Sequence, residues 1–467
     1  MEQKILKEKL EHLISWLESY RNNDGGYYGF VIHRTEAKRM RRIHDTAWTQ
    51  AAMVRGYSNL YRKSKEDRWY KSMISAADKI INNYDNNTGK ILHTGHEDER
   101  FQSLVHCALA LCALLDIIDL IDDSRKIKYI NVSVEHVNKY WLEKLWVKNE
   151  GAFKFSEIDF YSKTEDRFVV NFNTMATEAL IKLGEITKCD MYIERALDVG
   201  KWIISKWDSV VEYNNKLNNS QITSGENLNS DLMPLGGFPY QFTQNYKQPD
   251  NYITLYTGLS LRGIYALYRI TQNPKFAEII FAQSNFLLNM RDSETKLFYH
   301  TTSKGKIVKY PLFVSGAGMT LLGLHEVMPL IGTKALAEDT LKYILNCAYA
   351  NGSYPSFMGK NLFRKNGKSI TVWEDVVATT NWNAQLFEYL TRLIENPSTI
   401  NFVKLSGKVI IFKKNFFYAD LKSTVIIISW WPLKSAGFYV YKKKASSAYV
   451  SIYPLEVYGK IRALFEF

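Results

Sequence analysis

The sequence predicts a mainly α fold: a closed (α/α)6 toroid of six helical hairpins, followed by a small antiparallel β region at the C-terminus. Three observations predict it. A helix-to-helix link recurs at one register, nearly all-apolar helices alternate with amphipathic ones, and the patterning switches to period two beyond residue 396.

The link comes first. Leu60-Tyr61-Arg62-Lys63-Ser64 leads to Asp67 and Trp69, Leu183-Gly184-Glu185-Ile186-Thr187 to Asp190 and Tyr192, and Leu267-Tyr268-Arg269-Ile270-Thr271 to Asn273, Pro274 and Phe276. Counted from each Leu, Ser or Thr falls at +4 and an aromatic at +9. One helix ends, an Asp or Asn caps the next, Pro274 suits a first helical turn, and the aromatic anchors the second helix to the first.

Amphipathic stripes mark outer helices: Leu6, Leu10, Leu13 and Leu17; Trp69, Met73, Ala76 and Ile80; Val134, Val137, Trp141 and Leu145; Ile193, Ala196, Gly200, Ile203 and Trp207. Segments 105–120, 175–183, 255–268 and 314–327 are apolar nearly all round, as buried inner helices must be, and Gly316, Gly318 and Gly323 permit close backbone approach. Inner helices are expected to begin near Thr46, Glu99, Asn171, Ile253, Phe313 and Asp375, and outer ones near Lys4, Asp67, Lys126, Asp190, Pro274 and Thr333. Each outer helix is followed by a short extended tail, mostly aromatic: GGYYGF at 25–30, GKILH at 89–93, GAFKF at 151–155, GGFPY at 236–240, KLFYH at 296–300 and GSYPSF at 352–357. A tetratricopeptide-type solenoid would repeat near 34 residues, whereas the inner starts lie roughly 50 to 80 apart with the long loops at one end. A ring fits and a solenoid does not.

The helical pattern stops at Asn396-Pro397. From Val409 onward VIIF, TVIIISWW, GFYVYK, AYVSIY and LEVY alternate in period two between Gly, Ser, Pro and Lys turns. Residues 1–396 are therefore expected to form the toroid. Residues 397–467 should form a small antiparallel β domain packed on it, being too small to stand alone.

Composition narrows the class. The chain has 467 residues with 46% hydrophobic and 23% charged, an ordinary globular balance. Aromatics at 14% suit a large core and also a cleft that stacks on sugar rings. The net charge of +12 favours anionic partners, but the basic residues are spread along the chain, so no nucleic-acid partner is expected. Cys107, Cys112, Cys189 and Cys347 lie within helical patterns without CxxC spacing and read as buried free thiols. The N-terminus lacks a signal-peptide core, and no apolar run of about 18 residues is present, so a cytoplasmic protein without a membrane span is expected.

In a ring of hairpins, function should gather at the long-loop end, above the N-termini of the inner helices. The loops there carry the ionisable residues, among them Arg42, His44, Asp45, His96, Asp98, Arg100, Tyr161, Arg364 and Asp375. Trp48, Trp373 and Trp382 lie near inner-helix starts, with Asn381 and Asn383 flanking Trp382.

Ring architecture, aromatic tails and a trailing β region resemble the six-hairpin glycosidases and the toroid-plus-β-sheet polysaccharide lyases and uronyl epimerases, over roughly residues 1–395. The resemblance rests on repeat layout, not on a motif, so no residue is carried over from those families. It implies an enzyme that cleaves or modifies a poly- or oligosaccharide. A hydrolase needs two carboxylates about 5–10 Å apart, and Asp45, Asp98, Asp166 and Asp375 are the candidates; an Asp at a helix start is also what an N-cap or first-turn charge looks like. A lyase or epimerase needs a base beside a group that neutralises the substrate carboxylate. His44, His96, Tyr161, Tyr252 and His300 could serve as the base, with Arg42, Arg100 and Arg364 on the anion. Trp48, Trp373 and Trp382 would stack on sugar rings, and Asn381 would contact hydroxyls. No cofactor is expected and no metal: His93-x-x-His96-Glu97 has a metal-like spacing but no third ligand. A non-catalytic carbohydrate- or protein-binding scaffold is the alternative. Isoprenoid or peptide cyclisation fits less well, because Asp119, Asp122 and Asp123 fall at the wrong end of an inner helix and His106-Cys107 falls mid-helix.

Overall fold

The computed structural model describes residues 3–28, 30–32, 41–43, 47–92, 103–157, 166–224, 234, 236–243, 252–303, 305–331, 334–358, 362–365, 368–371 and 378–395. Beyond these it describes 409–412, 416–421, 424–429, 437–443 and 449–452. The chain divides into two compact units, Met1–Glu395 and Asn396–Phe467.

Outer and inner helices alternate in the first unit. Outer α1 (Gln3–Glu18) precedes inner α2 (Ala47–Ser64); outer α3 (Asp67–Asn82) precedes inner α4 (Leu104–Asp116). Outer α5 (Asp123–His136) continues as a π-helical stretch, Val137–Leu145, before inner α6 (Val170–Thr187). Outer α7 (Asp190–Ser224), inner α8 (Thr254–Thr271), outer α9 (Pro274–Asn289) and inner α10 (Ala317–Glu326) follow. The single turn α11 (Met328–Ile331), outer α12 (Lys334–Asn346) and inner α13 (Thr380–Glu395) complete the set. The inner helices pack in the order α2, α4, α6, α8, α10, α13, and α13 packs back on α2. The ring is closed. Outer helix α3 packs on α2, α7 on α6, α9 on α8, and the N-terminal α1 on α13.

The repeated link now has a physical cause. Ser64, Thr187 and Thr271 each donate a side-chain hydrogen bond to the carbonyl of the Leu four residues back, at 3.1, 2.7 and 2.7 Å. The next residue, Lys65, Lys188 or Gln272, then turns left-handed at φ 58°, 58° and 52° and stops the helix. Asn273 caps α9 by accepting from the Lys275 N–H at 2.9 Å. Of the +9 aromatics, Tyr192 and Phe276 are buried, and Trp69 stacks on Tyr57 of the preceding helix at 5.8 Å.

The extended tails share a second device. Each begins at a left-handed residue, Gly25, Gly89, Gly151, Gly236, Lys296 or Gly352, and two residues later buries Tyr27, Ile91, Phe153, Phe238, Phe298 or Tyr354. The fourth residue of the following inner helix clasps that buried residue's backbone in several repeats. Gln50 does so for Tyr27, Asn173 for Phe153 and Asn383 for Tyr354, each accepting from the N–H and donating to the C=O. In the second repeat the Cys107 thiol reaches the Ile91 carbonyl at 3.9 Å.

The inner helices touch closely because small residues face each other. A Cβ on Gly263 would lie 1.8 Å from the Thr174 carbonyl oxygen, and one on Gly323 would lie 1.9 Å from that of Gly258. Of the cysteines, Cys107 and Cys112 are buried, as expected, while Cys189 and Cys347 are half-buried; all four are free thiols.

Three inner helices start later than the sequence suggests, at Leu104, Ala317 and Thr380 instead of Glu99, Phe313 and Asp375. The reason is clearest at Phe313. It ends the strand Lys306–Phe313, which pairs with Phe298–Ser303 and with Phe357–Met358. The Val314 and Ser315 N–H groups then donate to the Ser356 and Pro355 carbonyls, and a turn over Val314–Gly316 delays the helix until Ala317. In the fourth repeat, outer helix α7 runs on to Ser224 through the first part of the long loop expected from Ser209.

In the second unit the described residues form one five-stranded antiparallel meander: Val409–Phe412, Phe416–Leu421, Thr424–Ser429, Gly437–Lys443 and Tyr449–Ile452. Ile427 sits opposite both Tyr418 and Tyr439. The LEVY run lies outside the described residues.

Candidate functional site

Charged side chains from five inner helices meet inside the ring. Arg55 of α2 contacts Asp116 of α4 at 2.8 Å, Glu178 of α6 at 3.1 Å and Glu388 of α13 at 3.4 Å. Arg262 of α8 reaches Glu178 at 3.1 Å and Glu388 at 3.7 Å, and Lys182 of α6 bonds both Glu178 and Asp116. Helices spread around a ring can bring side chains to one cluster only along their axial faces, so these residues mark those faces. Burial would raise the Asp116 carboxyl, but Lys182 and Arg55 overcome it and hold it at about 2. Burial wins at Glu388 and, with Asp116 and Glu178 nearby, pushes its carboxyl up to about 7 against the pull of Arg55.

Seven residues make about two helical turns, a rise of roughly 10 Å that returns to nearly the same face. Trp48, Asn171 and Asn381 precede Arg55, Glu178 and Glu388 by that spacing. They therefore lie on the axial faces, two turns nearer the long-loop mouth. Ring contacts agree. Trp48 lies edge-on to Trp382 at 5.7 Å and against His106 at 5.0 Å. Trp382 meets Phe313 and Phe357, on which His300 packs at 5.0 and 6.3 Å. Gly316 admits this arc, since a Cβ there would come within 2.7 Å of the Phe313 ring and 3.2 Å of the Trp382 ring. Burial lowers the His300 imidazole to about 4, so it is neutral near pH 7.

Unpartnered polar atoms lie on or just before the inner helices at this same end. Both amide atoms of Asn171, Oδ1 of Asn381, both amide atoms of Gln385, Nε1 of Trp48 and Oγ of Ser315 are buried without a hydrogen-bond partner among the described residues. Leaving such groups unmade costs about 1–3 kcal/mol each unless water or a ligand satisfies them. Asn171 also borders a small cleft with Tyr240 and Tyr256, whose rings stack at 5.1 Å. Aromatic faces beside unused amide donors and acceptors can hold a ring that carries hydroxyls.

No protein-family model matches the sequence, and no curated protein matches it. Solved structures do. A D-mannose isomerase superposes with a TM-score of 0.59 at 11% identity, covering 84% of this chain and 98% of its own. A cellobiose 2-epimerase from Bacillus thermoamylovorans gives 0.59 at 11% identity, over 84% of this chain and 100% of its own. An unsaturated glucuronyl hydrolase from a Bacillus species gives 0.55 at 11% identity, over 85% and 98%. The chain has the six-hairpin (α/α)6 toroid fold.

Within that six-hairpin toroid, the sequence-predicted residues separate into three groups. Trp48, Trp382 and Asn381 come together on the axial side of the long-loop mouth. Tyr252 does not join them: it is buried with its ring against Phe286 of outer helix α9, where Gly237 leaves it room, so it packs between the helical layers. His44, Asp45, His96, Asp98, Arg100, Tyr161, Trp373 and Asp375 lie outside the described residues, as do His93 and Glu97. Arg42 and Arg364 belong to described strands, Arg41–Ile43 paired with Phe30–Ile32 and Leu362–Lys365 paired with Lys368–Thr371, but their side chains are outside the described set.

Asn383, which flanks Trp382 on the side away from Asn381, is committed to the Tyr354 backbone. His106 and Cys107 sit in the first turn of α4 and not mid-helix, because that helix starts at Leu104. Asp119 and Asp122 lie just past the C-terminal end of α4, where Asp119 pairs with Arg62 at 2.7 Å and Asp122 caps α5. Among the described residues no group of three or more His, Cys, Asp or Glu side chains could hold a metal ion, and no helix is long and apolar enough to cross a membrane.

Sequence reasoning missed Asn171, Gln385, His106 and the whole charged cluster. A signal was present: Arg55, Glu178, Arg262 and Glu388 are charges near the middle of buried inner helices, three of them seven residues after Trp48, Asn171 and Asn381.

Proposed function

We propose that the long-loop mouth of the toroid is the active site of a carbohydrate-active enzyme. The observation that carries the reading is the floor of that mouth, where the Trp48 and Trp382 indoles meet edge-on and the axial faces of the inner helices carry the unused hydrogen-bonding atoms of Asn171, Asn381 and Gln385. A sugar ring offers apolar C–H faces for the indoles and hydroxyls that both donate and accept for the amides. The toroid neighbours named above, an isomerase, an epimerase and a hydrolase by their descriptions, support the same class.

The reacting groups come from the rim. Asp45, Asp98 and Asp375 stand in sequence just before inner helices, so two of them facing each other would hydrolyse a glycosidic bond, one as acid and one as nucleophile or base. His44, His96 or Tyr161 would instead remove the proton α to a uronate carboxylate, with Arg42, Arg100 or Arg364 neutralising that carboxylate. The net charge of +12 favours anionic sugars.

The test is a panel of neutral and uronate-bearing oligosaccharides given to the full chain. New reducing ends report hydrolysis, absorbance of a conjugated product reports elimination, and solvent deuterium on carbon reports epimerisation. Asn381→Ala is expected to weaken binding at least tenfold while the circular-dichroism melt is retained, and Trp48→Ala to weaken it as much but with a lowered melt, because Trp48 is buried. Binding without product would make the toroid a non-catalytic scaffold, and no saccharide binding at all would end the proposal.

A further inference from the structure

The opposite end of the ring, where the tight links lie, also has a cavity. It has a volume of about 340 Å³, near the lower end of small-molecule pockets at about 300–1,000 Å³. Its lining comes from the inner helices: Arg55 and Glu178 deep inside, Arg262, Glu388, and Tyr265 and Arg269 toward the C-terminal end of α8.

Two features show a built site and not merely an ionic core. Arg262 and Glu178, each 7% exposed, both line the cavity, and each keeps one polar atom unused. Nη1 of Arg262 and Oε2 of Glu178 have no hydrogen-bond partner among the described residues, although Nη2 and Oε1 of the same pair bond each other at 3.1 Å. Glu388 approaches Nη1 only to 3.7 Å, too far for a hydrogen bond. An unused donor therefore stands beside an unused acceptor. A bare anion would satisfy the arginine but meet the glutamate, and a bare cation would do the reverse. Hydroxyl groups, which donate and accept, satisfy both. At the rim, Arg62 is held by Asp119 and Arg392 faces Glu326, whereas Arg269 is exposed and has no carboxylate partner among the described residues.

We infer that this cavity is a second binding site, for a monosaccharide-sized polyol that carries one acidic group. Its hydroxyls lie on Arg262 and Glu178, its carboxylate or phosphate on Arg269, and one face of its ring on Tyr265. The inference is independent of the proposed active site, which lies at the other mouth.

The experiment is isothermal titration of the full chain with D-glucuronate, D-glucose 6-phosphate, D-glucose and acetate. One equivalent of glucuronate or glucose 6-phosphate is expected to bind, the tighter of the two identifying a carboxylate or a phosphate as the acid. Glucose should bind at least tenfold more weakly, and acetate not at all. Ala266→Trp, which fills the cavity from a half-buried position, should abolish binding, and Arg269→Ser should weaken it at least tenfold with an unchanged melting temperature. Trp48→Ala at the other mouth should leave it unaltered. The inference is overturned if neither acid binds, if glucose binds as tightly as the acids, or if binding survives Ala266→Trp and is lost in Trp48→Ala.

Discussion

Glu388 offers a sharp test of the charged cluster. Its carboxyl moves from 4.5 in the open chain to about 7 in the fold. Between those values the folded chain holds a proton that the unfolded chain has released, so stability falls as pH rises through the window. At about 1.4 kcal/mol per pH unit, the loss attributable to Glu388 between pH 5 and 8 is about 2–3 kcal/mol. His300 works the other way over the same range. Its imidazole moves from 6.5 to about 4, so the unfolded chain takes up the proton and stability falls as pH drops; the size is about 2 kcal/mol between pH 8 and 5. The two contributions nearly cancel, and a flat wild-type profile would conceal both. Glu388→Gln separates them, because glutamine preserves shape and stays neutral like the protonated acid. Urea unfolding followed by circular dichroism at pH 5 and pH 8 should show the variant gaining about 2–3 kcal/mol on the wild type between the two. A difference that stays constant with pH would refute the reasoning, whatever its size.

Three further outcomes follow from the ring's construction. Asn173→Ala removes three hydrogen bonds, two to Phe153 and one to the Val169 carbonyl, and orphans buried backbone groups, so the urea midpoint should report a loss of about 2–4 kcal/mol; a loss within error would show that the clasp is incidental. Gly263→Ala places a Cβ 1.8 Å from the Thr174 carbonyl oxygen and should cost more than about 3 kcal/mol or abolish soluble expression, with unchanged yield and melt as the contrary result. Lys188→Gly relieves a left-handed turn at φ 58° and should raise the unfolding free energy by about 0.5–1 kcal/mol, whereas a lowered midpoint would mean that the lysine side chain contributes more than the turn costs.

The ring was readable because its links use the same chemistry each time. Ser64, Thr187 and Thr271 must reach a carbonyl four residues back, and Trp69, Tyr192 and Phe276 must anchor the new outer helix, Trp69 on Tyr57, Tyr192 on Asn138 and Phe276 against Gly200, so residue type recurs at fixed offsets. The clasp on the extended tails recurs just as regularly in space but not in composition. Glutamine, cysteine and asparagine all occupy the fourth position of an inner helix facing a tail, and their equivalence shows only once the helix starts are known. Those starts were misjudged by four or five residues at α4, α10 and α13. An acidic or aromatic residue signals a helix start only if the chain before it has no strand partner, and Phe313 has two.

The site was harder to read, for a related reason. Attention to loops finds ionisable residues near each other in sequence, whereas the partners that meet on the axis are far apart: Arg55 and Glu178 are separated by 123 positions, Arg55 and Glu388 by 333. In sequence each stands far from the partners it meets across the ring, and only closure of the ring brings them together. Because seven residues nearly complete two turns, a single face of α2, α6 or α13 carries an indole or amide near one mouth and a charge deeper in. The same helical phase therefore builds a stacking floor at the long-loop end and an ion-lined cavity at the other. A substitution that altered the tilt of one inner helix would disturb both ends together. Coupled loss of function at the two mouths would thus report ring geometry, and only side-chain changes that leave the melt intact can assign a role to either one.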